Sequence, residues 1–249
     1  MIRVVLPAFN EGEAIPRLLA RFAELAGTDR SLELAFVVVD DGSRDGTADA
    51  ARAASQGLRV KLLVHETNQG LGFTLRDGLA EALAGAGADD VIVTMDADDT
   101  HPADLLPVML DAIREGADVV IASRFRTGAR VVGVSPARRF ISGAAAVLVA
   151  LVFPTRGVRD FTCGYRAYRA SVLARARERF QDSFIAATGF QVQCDIILKL
   201  RALSPPTRFA EVPLVLRYDR KTGASKMKVA RTALATLLLL ARRRVGSYR

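Results

Sequence analysis

The chain has 249 residues, half of them hydrophobic, with two cysteines, no tryptophan and a formal net charge of +8. That length suits one large α/β domain with a sizeable core, and the basic balance leaves nucleic acid, an anionic membrane surface or phosphorylated substrates as partners. Without a CxxC or a His/Cys cluster a zinc site is not expected, and Cys163 and Cys194 read as free thiols of a reducing compartment.

"IRVVLPAF" opens the chain as a buried strand, with no signal-peptide pattern before it. "EAIPRLLARFAELA" follows with apolar residues at helical spacing. "LELAFVVVDD" reads as a second strand, with a second helix opening near Thr47, and "LRVKLLVHE" as a third strand. "LGFTLRDGLAEALAGAG" is a third helix, "ADDVIVTMDAD" a fourth strand, "PADLLPVMLDAIREG" a fourth helix and "ADVVIAS" a fifth strand. This alternation predicts a mostly parallel sheet covered on both faces, with ligands beyond the carboxyl ends of its strands. Polar residues cluster at those ends: Asn10 and Glu11, Asp40 and Asp41, Asn68, Asp96 and Asp98, Ser123 and Arg124.

After residue 125 the alternation stops. The sequence reads as a basic loop "RTGARVVGVSPARR", an apolar helix over about 138–153, and an irregular stretch holding "RDFTCGYRAYR". A helix near 188–203, a strand "RFAEVPLVLRY", a basic loop "DRKTGASK" and a last helix ending in "ARRRVGSYR" complete it. The apolar runs "GAAAVLVALVF" and "TALATLLLLA" fall short of the ~20 residues that span a bilayer, so the expectation is a soluble or peripheral protein.

The chemistry centres on "VIVTMDADDTHP", where an apolar strand ends in Asp96, Asp98 and Asp99. Carboxylates about 4 Å apart repel by about 4 kcal/mol at an effective dielectric of ~20, and a divalent cation offsets that best. On an extended segment alternate side chains point the same way, so Asp96 and Asp98 reach one ion. Hard oxygen ligands suit Mg²⁺ or Mn²⁺. Arg124, Arg138, Arg139, Arg166, Arg220, Lys221 and Lys226 lie in the irregular back half or at a strand end, where guanidinium forks suit phosphate oxygens. Acids for a metal and bases for phosphates together describe a nucleotide-diphosphate site.

In order, "LPAFNEGEAI", "VVVDDGSRDGT", "NQGLGFTLRDGL", "DADDTHP", "ASRF", "DFTCGYRAYR" and "DRKTGASKM" resemble the motifs of family 2 inverting glycosyltransferases with the GT-A fold. The nearest branch is the polyprenyl-phosphate one, typified by dolichyl-phosphate mannose synthase, and the resemblance runs from residue 2 to about 228. It implies a catalytic domain over 1–228, and the remaining 229–249 read as a C-terminal amphipathic helix, either at a membrane interface or packed on the core or a second subunit. It also implies that Pro7, Ala8, Asn10, Glu11, Asp40 and Asp41 hold base and ribose, and that Gly70 lets the backbone approach the nucleotide. Asp96 and Asp98 would bind the metal on the diphosphate, with Thr100 where many members carry Gln. Arg124, Arg138, Arg139 and Ser142 resemble an acceptor-phosphate site, and Arg220, Ser225 and Lys226 a loop over the diphosphate. Asp160 lies in an element lining the reaction centre, and Gln193 stands where the pattern has an acid.

The implied reaction moves a hexose, GDP-mannose being the favoured donor, to a polyprenyl phosphate at the inner face of the cytoplasmic membrane. A lipid phosphate is already ionised, whereas a sugar hydroxyl would need a general base. A UDP-sugar with a saccharide acceptor is the main alternative. A dinucleotide oxidoreductase lacks its G-x-G-x-x-G after a strand, and a basic nucleic-acid module fits poorly with cations concentrated in glycine and serine loops. His65 reads as structural, and His101 as shaping the acidic loop.

Overall fold

The computed structural model describes residues 1–135, 143, 146–221 and 229–244. The front half alternates as the sequence predicts: β1 (Ile2–Ala8), α1 (Ala14–Thr28), β2 (Leu34–Asp40), α2 (Thr47–Ala54), β3 (Arg59–Val64), α3 (Leu71–Leu83), β4 (Val91–Thr94), α4 (Leu106–Arg114) and β5 (Val119–Ser123). The back half adds β6 (Arg130–Val132), a helix α5 over 146–152, β7 (Arg166–Arg169), α6 (Ala170–Phe180), α7 (Val192–Arg201), β8 (Phe209–Pro213), β9 (Val215–Arg217) and α8 (Val229–Arg244).

Seven strands form one sheet in the order β3-β2-β1-β4-β7-β5-β8, and β6 pairs with β9 beside it. β4 and β5 are buried along their whole length, because helices cover both faces of the sheet. All pairings in the large sheet are parallel except those of β7, which runs antiparallel to both β4 and β5. That reversal has a consequence for function. A strand entering from the carboxyl edge of its neighbours brings the segment before it, 159–165, onto the edge where ligands bind in such sheets. Thr94 pins it there, its hydroxyl donating to the Gly164 carbonyl at 2.8 Å.

Four back-half readings need correction. "RAYR" is a central strand rather than part of an irregular stretch. α6 is a helix the sequence reading passed over: arginines crowd its outer face, while Val172, Leu173, Ala176 and Phe180 recur at helical spacing and are buried. "RFAEVPLVLRY" breaks at Leu214 into β8 and β9, which join different sheets. Arg166 is no phosphate ligand. It is fully buried, and its guanidinium donates to the carbonyls of Gln193 (2.7 Å) and Phe161 (2.9 Å). The central strand carries it into the core, away from any anion. The expected helix over 138–153 is described only at 143 and from 146 onward.

α8 is held to α7 by charge. Arg243 turns inward and donates to Asp195 at 2.6 and 2.7 Å, while the buried Lys199 ammonium meets the other Asp195 oxygen at 2.8 Å. Breaking a buried pair by removing one partner typically costs 3–5 kcal/mol, because the remaining charges stay desolvated. Asp195→Ala is therefore expected to lower unfolding free energy by about 3–5 kcal/mol in urea titrations at neutral pH.

Candidate active site

The acidic segment after β4 splits its three carboxylates in three directions. Asp99 sits at φ 58° and points to α1, where Arg21 donates to it at 2.9 Å. Asp98 accepts the Thr100 hydroxyl at 2.7 Å on one oxygen and pairs with the Lys221 ammonium on the other. No described residue donates to the Asp96 carboxylate. Burial pushes the Asp96 carboxyl above its usual value, with the neighbouring Asp98 charge adding to the rise. Burial acts on Asp98 in the same direction and is the largest single influence, but the Lys221 and His101 charges and the hydrogen bonds from Lys221 and Thr100 together outweigh it and hold Asp98 low. His101 shapes this segment: its Nδ1 faces the Asp96 N–H at 3.4 Å, and its ring lies against Tyr165.

The loops after β1 and β2 are cross-braced. Asn10 donates its N–H to the Ser43 hydroxyl and accepts the Arg44 N–H on its side chain, at 2.8 and 2.9 Å. Asp40 accepts the Ser43 N–H at 3.1 Å. Asp41 accepts the N–H groups of Gln69 (2.9 Å) and Gly70 (2.8 Å) and faces His65 Nδ1 at 2.8 Å. Gly70 has φ 95°, and a Cβ there would lie 2.8 Å from the Thr188 carbonyl oxygen, so both conformation and space require glycine.

From the back half comes Arg124, directly after β5. Its Nε and one Nη donate to the two oxygens of Asp160, at 2.8 and 2.7 Å, and the same Nη reaches the Thr162 hydroxyl. Asp160 also accepts the N–H groups of Arg124, Thr162 and Cys163. With five guanidinium donors available, the other terminal nitrogen keeps two N–H groups without a partner among the described residues. Burial alone would raise the Asp160 carboxyl; the Arg124 charge and these hydrogen bonds hold it below the usual range. Burial pushes the Cys163 thiol up to about 12, so it is no thiolate nucleophile at neutral pH.

These groups meet at one cavity of about 400 Å³. Pro7, Ala8, Glu11, Asp41, Gly70, Asp96, Asp98 and Arg124 all line it. Asn10 and Asp40 stand behind that lining as braces of its loops. Asp160 is fully buried and reaches the cavity only through residues that line it, Arg124, Thr162 and Cys163, so it positions rather than contacts. Lys221, not Arg220, reaches the cavity, because the single helical turn Tyr218–Arg220 rotates the next residue inward. Arg138, Arg139, Ser142, Ser225 and Lys226 lie outside the described residues. Thr162, Cys163, Gly164, Phe190 and Tyr218 also line the cavity. The sequence signal for the first three was their place between Asp160 and the strand that follows; Phe190 gave none.

The family model for glycosyl transferase family 2 matches residues 3–176. The chain belongs to that family. It is thus a glycosyltransferase, which sets aside both the oxidoreductase and the non-enzymatic module. The transferase is 35% identical to the undecaprenyl-phosphate mannosyltransferase of Micrococcus luteus, over 91% of this chain and 87% of that one. It is 33% identical to the polyprenol monophosphomannose synthase of Mycolicibacterium smegmatis, over 90% and 80% respectively. Its GT-A-like fold is similar to the crystal structure of glucosyl-3-phosphoglycerate synthase from Mycobacterium tuberculosis in complex with Mn²⁺, UDP and glucosyl-3-phosphoglycerate. The TM-score is 0.68 at 22% identity, covering 99% of this chain and 80% of that one.

Asp160 yields a pH prediction. A carboxyl held low in the folded state adds stability above its unfolded pKa of about 3.9, and that stability is lost as pH falls through the folded value. The stability gap between the wild type and Asp160→Asn should therefore be widest near neutral pH and close progressively below about pH 4. Urea unfolding at a series of pH values from 7 to 3 measures it; a gap that does not change with pH would contradict the assignment.

Proposed function

We propose that this transferase moves a mannosyl group, with inversion, from GDP-mannose to a polyprenyl phosphate, using a divalent cation. The observation that carries the reading is the meeting, in one cavity, of an Asp96 carboxylate lacking any described donor with Asp98 and the spare donors of Arg124. Mannosyl transfer to a polyprenyl carrier follows the names of the two relatives.

The donor set suits Mg²⁺ or Mn²⁺. Two carboxylates one residue apart line the cavity, one of them burdened by burial and the other already drawing a cation, Lys221. Bound there, such an ion neutralises charge on the leaving nucleoside diphosphate. The chain's own residues do the rest. Pro7, Ala8, Glu11, Asp41 and Gly70, which line the cavity, would hold the nucleoside, and Lys221 would meet the diphosphate, with Arg220 and Lys226 given the same role by the family resemblance. Arg124, aimed by Asp160, holds the acceptor phosphate in line with the anomeric carbon, joined in this role by Arg138, Arg139 and Ser142.

The acid–base inventory favours a phosphate acceptor. Asp41 and Asp98 are committed to hydrogen bonds or an ion pair, and in this reading the divalent cation takes Asp96, so none of the three is left as a base for a sugar hydroxyl. An ionised phosphate needs none. The acceptor's apolar chain sets the reaction at a membrane, which we read as the inner face of the cytoplasmic membrane with its anionic surface. Val147, Leu148 and Leu151 on α5 and Leu238 on α8 expose apolar side chains that suit an interface. No helix among the described residues is long and apolar enough to cross a membrane.

The test is transfer of radiolabelled sugar from a panel of GDP- and UDP-sugars to a short polyprenyl phosphate, with and without Mn²⁺ or Mg²⁺. Label from GDP-mannose should enter organic-extractable lipid only with metal, and Asp98→Ala should lose at least about 100-fold. Label in water-soluble saccharide alone, or preference for a UDP-sugar, would replace this reading with the alternative one. A second expectation concerns Lys221. Its ammonium competes for Asp98, so Lys221→Met should bind Mn²⁺ without nucleotide about tenfold more tightly, equivalent to ~1.4 kcal/mol, by calorimetry.

A further inference from the structure

Glu211 lies on β8, opposite Ile121 of β5, and takes no part in the cavity described above. One of its oxygens accepts two consecutive backbone N–H groups, those of Arg159 at 2.6 Å and Asp160 at 2.7 Å. The Ser123 hydroxyl lies near the same carboxylate and acts to lower its pKa. Ser123 is fully buried, directly precedes Arg124, and accepts the Phe125 N–H on its oxygen at 3.2 Å.

The contacts close into a ring. Glu211, on β8 beside the end of β5, holds the Arg159–Asp160 backbone, and Asp160 ties that backbone to the Arg124 N–H and guanidinium. Both ends of the Arg124–Asp160 pair are thus fixed to one side chain on the edge strand. An ordinary surface glutamate on an edge strand faces water. Here burial pushes the carboxyl above its usual value, and the side chain is spent on two loop amides.

We propose that Glu211 is a positioning residue for the transfer reaction, clamping the Ser123–Arg124 strand end to the Arg159–Asp160 loop so that the free Arg124 donors face the acceptor phosphate. This rests on the reading of Arg124 as the group that holds that phosphate. On its other side Glu211 borders a second cavity of about 470 Å³, lined also by Arg126, Thr155 and Arg159. Water entering there can satisfy the two amides if the side chain is shortened, which allows the fold to survive while the aim of Arg124 is lost.

The amide oxygen of Gln still accepts both N–H groups, whereas Asp keeps the charge but falls one methylene short. Steady-state kinetics of Glu211→Gln, Glu211→Asp and Arg124→Ala, varying donor and polyprenyl phosphate separately, make the test. Glu211→Asp should lose about 30-fold in kcat/KM for the acceptor with donor KM within about twofold, since small misplacements of a positioning group carry penalties of that order. Glu211→Gln should stay within about threefold of wild type. Glu211→Asp at wild-type rates, or Glu211→Gln falling as far as Glu211→Asp, would overturn the clamp. Arg124→Ala separates the two levels of the argument. Its inactivity beside a fully active Glu211→Asp sinks the clamp alone, whereas its full activity sinks the acceptor-site reading and the clamp with it.

Discussion

A buried carboxylate must find a counter-charge or a set of N–H donors, since the desolvation of an unpaired ion costs several kcal/mol. This chain concentrates acids at the carboxyl edge of its sheet, and much of the local architecture discharges that obligation. Asp99 turns through a left-handed conformation to reach Arg21 on α1. Asp41 spends its oxygens on the amides that open α3. Asp160 takes the guanidinium of Arg124 and three backbone N–H groups, and Asp98 takes Lys221. Asp96 is left over among the described residues. That imbalance marks a place where a further cation would be stabilising, and it lies in the cavity to which we assign the transfer.

The same obligation explains the antiparallel strand. A parallel sheet alone delivers loops from its own strand ends, which here bring acids, small residues and, after β5, Arg124. A buried guanidinium there needs a counter-charge, and that must arrive from elsewhere. β7, entering backwards between β4 and β5, draws 159–165 across the edge and sets Asp160 against Arg124. Its own Arg166 then sits in the core with two carbonyls as partners, a cost of placing a basic residue on a central strand that hydrogen bonds largely offset.

Legibility in the sequence followed the range of the interactions. The five front strands and four helices could be read because their signals are local: apolar runs, helical spacing and polar residues at strand ends. Asp96, Asp98 and Arg124 could be placed for the same reason, each ending a strand. Their partners could not. Nothing local says that Lys221 rather than Arg220 turns inward, because a single helical turn decides it. Nor does periodicity show that four residues, "RAYR", wedge between strands whose paired residues lie 45 to 78 positions earlier. Glu211 did leave a trace, an acid inside an apolar strand pattern, but its meaning depends on loops far away in the chain.

Arg124 and Lys221 are both cations at the cavity and both paired, yet the pairings differ in kind. Arg124 is held by three hydrogen bonds from its side chain to Asp160 and Thr162, and the pair is braced through backbone on both sides. An incoming anion does not gain from breaking that set, but it can use the two N–H groups left over, whose direction is fixed beforehand. Such preorganised donors stabilise charge without reorganising at the moment of reaction. Lys221 is a point charge on a flexible stem, joined to one carboxylate, and it leaves that carboxylate once a stronger cation or a phosphate competes. In the proposed reaction a fixed donor then serves the acceptor side and an exchangeable one the diphosphate side. That asymmetry suits a transfer in which one phosphate stays in line while the other departs.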